Sequence, residues 1–199
     1  AQTGEEITPP PTCERTIKAD VVAFDQPFFY NRLGAVNPAG MIYALRRDVK
    51  AKPSSTSTAL TPGNVVLKDY KRARPIVLRM NVGDCLQVLF QNLRDPNRAD
   101  DNQPATRTAG IHAVGLNLRN SILDDGSNVG TNPSSLVAPG GSITYTLYAE
   151  KEGNHLVYSS AATTGGEGDG PFFQPTLLAD VSDADLRSEI TMFGSTTTM

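Results

Sequence analysis

The sequence predicts an all-β sandwich with Greek-key connections, and three observations carry that prediction. β-branched and aromatic residues gather in many short runs rather than in helical stripes. Gly, Pro, Asn and Asp separate those runs at short intervals, as turns between strands require. No heptad or internal repeat points to a coiled coil or a solenoid.

In chain order, residues 1–12 hold Pro9-Pro10-Pro11 without a hydrophobic period and read as an extended arm. Thr16, Ile17, Val21, Val22 and Phe24 begin the strands, and Pro27 interrupts them before Phe28, Phe29 and Tyr30. Residues 41–45 form a further apolar run, and 52–62 are a polar loop. Residues 76–80 and 85–90 flank Asn81-Val82-Gly83-Asp84, which predicts two adjacent strands around a tight turn. After a polar loop over 94–106, residues 111–118 alternate imperfectly. Residues 142–148 alternate well, with Ile143, Tyr145 and Leu147 on one face. Residues 155–158 follow the Glu152-Gly153-Asn154 turn as another strand. Gly165-Gly166-Glu167-Gly168-Asp169-Gly170 is no phosphate loop, having no Lys and two acids. Ser182 or Asp183 caps a predicted helix over 184–190, and a Thr-rich tail ends the chain. The expected division is an arm over 1–12, a β-sandwich over 13–181, and a short helix with its tail over 182–199.

Composition narrows the function classes. Hydrophobic residues make up 39% and charged residues 20% of the 199, which supports a packed core and excludes wholesale disorder. The formal net charge is −3, and without a basic stripe a nucleic-acid partner is not expected. Arg46-Arg47 and Lys71-Arg72-Ala73-Arg74 read as solvated charges at strand ends. No apolar run approaches the roughly 20 residues that a membrane span needs. The polar beginning Ala1-Gln2-Thr3 is not a signal peptide but resembles what cleavage of one leaves behind. The expected location is therefore secreted, either extracellular or periplasmic. Cys13 and Cys85 fit neither a Cys-x-x-Cys redox site nor a zinc knuckle. Two readings of them stand: a disulfide closing a loop of about 70 residues, worth about 4 kcal/mol on the entropic model, or two buried free thiols. The disulfide is the one expected here.

Three stretches in order carry a family resemblance. Ile111-His112-Ala113-Val114-Gly115-Leu116 resembles the His-x-His-Gly motif in the first domain of multicopper oxidases. The stretch from Val137-Ala138-Pro139-Gly140-Gly141 to Tyr145 is similar to their Pro-Gly turn and the strand after it. Glu152-Gly153-Asn154-His155-Leu156-Val157-Tyr158-Ser159-Ser160 resembles their Gly-Thr-Tyr-Trp-Tyr-His-Ser-His strand. Val82-Gly83-Asp84 and the Asn92-Leu93 segment add to the likeness. Residues 16–170 as a whole resemble the cupredoxin-like amino-terminal domain of large bacterial multicopper oxidases of the manganese-oxidase type. The resemblance implies a cupredoxin-like sandwich and, in an intact member, histidines from these two strands holding a three-copper cluster.

This sequence departs from that pattern where the chemistry lies. His112 keeps the first ligand position, as a remnant. Val114 replaces the second, and Tyr158 and Ser160 stand where the other two belong. Valine has no lone pair and serine is a poor neutral ligand, so one imidazole is left where several must converge. A blue-copper site needs two His and a Cys, and no Cys-to-His segment lies late in the chain. His112 is thus either a remnant ligand or a hydrogen-bonded rim residue, and His155 a packing or strand-edge residue. Asp124, Asp125 and Asn128 gather oxygen donors around Gly126, which admits a calcium loop or a polar turn.

No catalytic residue and no cofactor is expected in this chain, with copper disfavoured and calcium the one candidate ion. The expected function is a non-catalytic secreted module that assembles through its extended ends into a homo-oligomer or filament. The alternative is the amino-terminal domain of a larger copper oxidase acting on Mn(II), Fe(II) or phenols. After Gly170 no second cupredoxin pattern follows, which favours the first expectation.

Overall fold

The computed structural model of the chain describes residues 12–29, 33–37, 40–97, 107–162 and 176–179. The arm over 1–11, the glycine-rich stretch 165–170, the helix over 184–190 and the Thr-rich tail lie outside the described residues.

The first sheet is built on β1 (Thr16–Asp25), which pairs in parallel with β8 (Cys85–Asn92) and antiparallel with β4 (Met41–Leu45). β11 (Ser142–Tyr148) covers the other side of β8, and β10 (Asn117–Leu118) completes five strands in the order β10-β11-β8-β1-β4. The second sheet has the order β7-β13-β12-β9, from β7 (Val77–Met80), β13 (Thr176–Ala179), β12 (Gly153–Tyr158) and β9 (His112–Ala113). Two short pairs lie apart: β2 (Phe28–Phe29) with β3 (Val36–Asn37), and β5 (Val49–Lys50) with β6 (Val66–Leu67).

The strand pattern explains the layers. The predicted alternation in β11 holds, with Tyr145 and Leu147 buried and Thr144 exposed. Those side chains meet Val21, Leu86, Val88 and Phe90 from the first sheet and Ala113, Val157 and Met80 from the second in one core. β1 is instead a continuous apolar run from Val21 to Phe24, because both of its faces are covered. Val22 and Phe24 turn away from the first core into a second, shared with Ile42, Ala44, Val49, Val65 and Leu93.

One expectation fails instructively. Residues 76–80 and 85–90 are not adjacent strands, since β7 pairs with β13 and β8 with β1 and β11. The turn between them is a corner joining the two sheets. Its backbone groups are taken by other segments rather than by a hairpin partner. The Gly83 carbonyl accepts from the Glu14 amide, the Gly83 amide donates to the Ala149 carbonyl, and the Cys85 amide donates to the Arg15 carbonyl.

The corner is fastened further. Cys13 and Cys85 form the expected disulfide, with Cα atoms 5.3 Å apart and 72 residues of separation. Asp84 takes Arg15 at 2.6 Å and the Asn81 amide at 3.0 Å on the same oxygen. Burial pushes the Asp84 carboxyl up, but the Arg15 and Asn81 hydrogen bonds and the Arg15 charge outweigh it. The net pKa lies below the ordinary 3.8. At the far end of β8, Asn92 is fully buried; its side-chain amide donates to the Arg107 and Val137 carbonyls, and its oxygen accepts from the Arg94 amide.

Two outcomes follow for stability. Because folding depresses the Asp84 pKa, its stabilisation is complete above the unfolded value and disappears as pH falls through the folded one. Thermal melts below pH 4 should therefore fall more steeply for the native chain than for Asp84→Asn, with the two curves converging in acid. Asn92→Ala removes three hydrogen bonds, those to the Arg107 and Val137 carbonyls and that from the Arg94 amide, and should cost about 2–4 kcal/mol in urea unfolding.

Candidate functional site

Two of the three stretches that carry the family resemblance, 111–116 and 152–160, meet in the second sheet, whereas 137–145 leads into β11 of the first. β9 and β12 pair antiparallel with His112 opposite Tyr158 and Ala113 opposite Val157. Side chains alternate along a strand, so buried Ala113 and Val157 face the core while His112 and Tyr158 face outward. The two outward rings pack edge to face with centroids 5.2 Å apart. Val114 follows, 47% exposed, its amide donating to the Leu156 carbonyl at 2.9 Å. Ser160 lies just beyond β12 and donates its hydroxyl to the Gly126 carbonyl at 3.0 Å. The structure thus brings His112, Val114, Tyr158 and Ser160 into one region, built by the β9–β12 pairing.

The His112 ring is oriented by the neighbouring turn. Its Nδ1 lies 2.9 Å from the Asp125 carbonyl and 3.2 Å from an Asp125 carboxylate oxygen. Both partners only accept, so Nδ1 carries the proton and the lone pair of a neutral ring sits on Nε2. His112 therefore has a tautomer suited to ligation. Asp125 is the one contribution here that the sequence named for another purpose: it stood as a candidate calcium ligand, and it holds the imidazole. His155 lies on the core side of β12 with Val157, opposite Tyr158, and its Nδ1 meets the Val114 carbonyl at 2.9 Å. Gly115, at φ +82°, makes room for that ring, since a Cβ there would lie 3.1 Å from His155 Nδ1. Alternation along β12 thus keeps the two histidines on different faces of the sheet.

The donor set does not fit a copper cluster. One imidazole, a phenol, a hydroxyl and an aliphatic side chain occupy the four positions, and copper requires several converging nitrogen donors. Among the described residues no three His, Cys, Asp or Glu side chains gather as a metal site.

The acidic turn is arranged for structure. Ser121 caps a 3-10 turn (Ile122–Asp125), and Gly126 ends it at φ +68°. A Cβ on Gly126 would fall 2.0 Å from the Ile111 carbonyl, so the turn can press directly against the strand that leads to His112. Asp124 is buried, and its two oxygens accept from the Asn120 and Thr146 amides, each at 2.8 Å. Asp125 is shared between His112 and the Ser127 hydroxyl. Asn128 is exposed. This arrangement commits both oxygens of Asp124 to backbone amides.

No family model matches the sequence, and no curated protein does. Solved structures do. A multicopper oxidase from Pseudomonas thermotolerans superposes with a TM-score of 0.50 at 20% identity, over 83% of this chain and 29% of that one. The multicopper oxidase mgLAC gives a TM-score of 0.50 at 13% identity, over 83% of this chain and 39% of that one. The fold is cupredoxin-like. At such identities the likeness establishes fold alone, and the cupredoxin-like chain spans well under half the length of either oxidase.

Asp124→Ala should cost about 2–3 kcal/mol, the worth of charge-assisted bonds to two backbone amides. Added calcium should leave the melting temperature of the native chain unchanged; a rise abolished by Asp124→Ala would instead mark an ion site.

Proposed function

We propose that this chain is a non-catalytic, exported cupredoxin-like module that works by assembly with copies of itself or with neighbouring cupredoxin domains. The observation that supports it most is the donor set on the outer face of β9 and β12, where His112 stands with Val114, Tyr158 and Ser160. A face that no longer suits metal binding still suits contact. Val114 and Leu156 are 47% and 41% exposed there, apolar groups that a neighbouring surface would remove from water. The Cys13–Cys85 disulfide supports an oxidising, extracellular or periplasmic location. No helix among the described residues is long and apolar enough to cross a membrane.

A second reading has one observation in its favour. The chain covers 29% and 39% of the two oxidases it resembles in structure. On that reading it is the amino-terminal domain of a larger copper-dependent oxidase acting on Mn(II), Fe(II) or phenols. Copper would then lie in other domains, and this one would brace the array or shape the substrate entrance.

Native mass spectrometry tests both. The 199-residue chain, incubated with copper and then desalted, should appear as an oligomer without stoichiometric metal. Deleting residues 1–12 should reduce the assembly, and an unchanged size would count against assembly through the arm. A native-source species of 21.3 kDa would exclude the larger oxidase, whereas a heavier chain carrying copper would favour it.

A further inference from the structure

Charge is distributed unevenly along this chain. Nine of its 18 Lys and Arg residues fall between positions 46 and 79, where two of its 21 acidic residues stand. The rest of the molecule is correspondingly acidic, so the overall −3 conceals a strongly basic segment. Folding gathers much of that segment around one groove of about 610 Å³. It runs between β4, an edge strand of the first sheet, and the residues leading into β7, an edge strand of the second. Leu45 and Ile76 give it a half-buried apolar lining, and Arg47, Lys71, Arg72 and Arg74 surround it.

Two ion pairs hold the groove in shape. Lys71 meets Asp48 at 3.1 Å and Lys50 meets Asp69 at 2.6 Å, joining the segment after β6 to the chain around β5. The Lys68 amide adds a bond to the Asp48 carbonyl at 3.0 Å. Both acids of the segment are used in these contacts. Arg47, Arg72 and Arg74 are exposed and have no carboxylate partner among the described residues. Soluble surfaces usually intersperse the two signs; here three guanidiniums of one sign face a shared concavity, an arrangement that a bound anion would stabilise. Guanidinium presents a planar fork that matches carboxylate or sulfate oxygens with two parallel hydrogen bonds.

We propose that this groove binds an acidic glycan, a sugar chain bearing carboxylate or sulfate groups. The groove is open to solvent, which suits a chain lying across it better than an enclosed small molecule. Nucleic acid fits less well. Single strands are held by successive aromatic platforms. Tyr70, 73% exposed, is the one exposed aromatic in the lining, and the Lys71 ammonium already lies 5.6 Å from its ring centroid. Reading a duplex takes a helix or a two-stranded ribbon that enters a groove. The helical structure among the described residues is three short 3-10 turns. The disulfide points to an oxidising compartment outside the cytoplasm, where acidic glycans are available ligands. The proposal stands apart from the copper question, since none of its residues lies on β9 or β12.

Fluorescence anisotropy with a labelled oligouronate tests it on the 199-residue chain, at low and at physiological ionic strength. A neutral dextran oligomer and a single-stranded oligonucleotide of matched charge serve as comparators. The uronate should bind, more weakly as salt rises, and dextran should not. The combined variant R47Q/R72Q/R74Q should bind about tenfold more weakly or worse, from the loss of three charge contacts. The control K18Q/K151Q changes exposed charges outside the groove and should leave affinity unchanged. Arg74→Glu alone should also weaken binding, and it keeps the test open if the triple variant melts differently from the native chain. Absence of uronate binding at low salt, or equal losses in the groove variant and the control, would overturn the proposal. So would an oligonucleotide bound as tightly as the uronate, which would assign the groove to nucleic acid instead.

Discussion

The parallel pairing of β1 with β8 is the contact from which the rest of the molecule is organised. It runs from Thr16 opposite Cys85 to Ala23 opposite Asn92, and joins segments that no tight turn can connect. Closing so long a loop carries an entropic cost that must be offset by contacts made only when the register is right. Both ends of the pairing supply them. At one end stand the Cys13–Cys85 disulfide and the Arg15–Asp84 pair. At the other, the Leu93 amide donates to the Ala23 carbonyl and the Asp95 amide to the Asp25 carboxylate. Asn92 then ties the end of β8 to the strands' connecting loops.

With that pair in place, the remaining architecture follows from which faces are covered. β4 and β11 extend the sheet on either side, and the corner after β7 carries the chain from one sheet to the other. The second core, behind β1 and β4, needs the β5–β6 region as its cover. This same cover lies within the basic segment, so packing behind the first sheet also helps to assemble the cationic groove. A structural requirement and a candidate binding surface thus share one stretch of chain.

In the second sheet, the β9–β12 pair sets His112 beside Tyr158 on one face. His112 is oriented by Asp125 in the tautomer a ligand would use, yet Tyr158 packs against it and Val114 offers nothing to a metal. The turn over residues 122–126 supports the strand beneath it through Asp124 and Gly126. Those contacts fix the turn against the strand that leads to His112.

Much of this was legible in the sequence because it depends on local pattern. Alternation revealed β11, the β-branched and aromatic residues from Thr16 to Phe24 marked β1 as a strand, and two isolated cysteines pointed to the disulfide. Tertiary structure decided the rest. The Gly-Asp turn at 83–84 looks like a hairpin by composition, and becomes a corner because residues 14, 15 and 149 take its backbone groups. Asp124 and Asp125 look alike as oxygen donors, and differ because one accepts from two backbone amides and the other faces a histidine. Arg47 and Arg72 are separated in sequence by a polar loop and meet around one groove only once β4 and the approach to β7 lie side by side. Local pattern specifies which residues can form a strand; partners distant in the chain specify what each side chain faces.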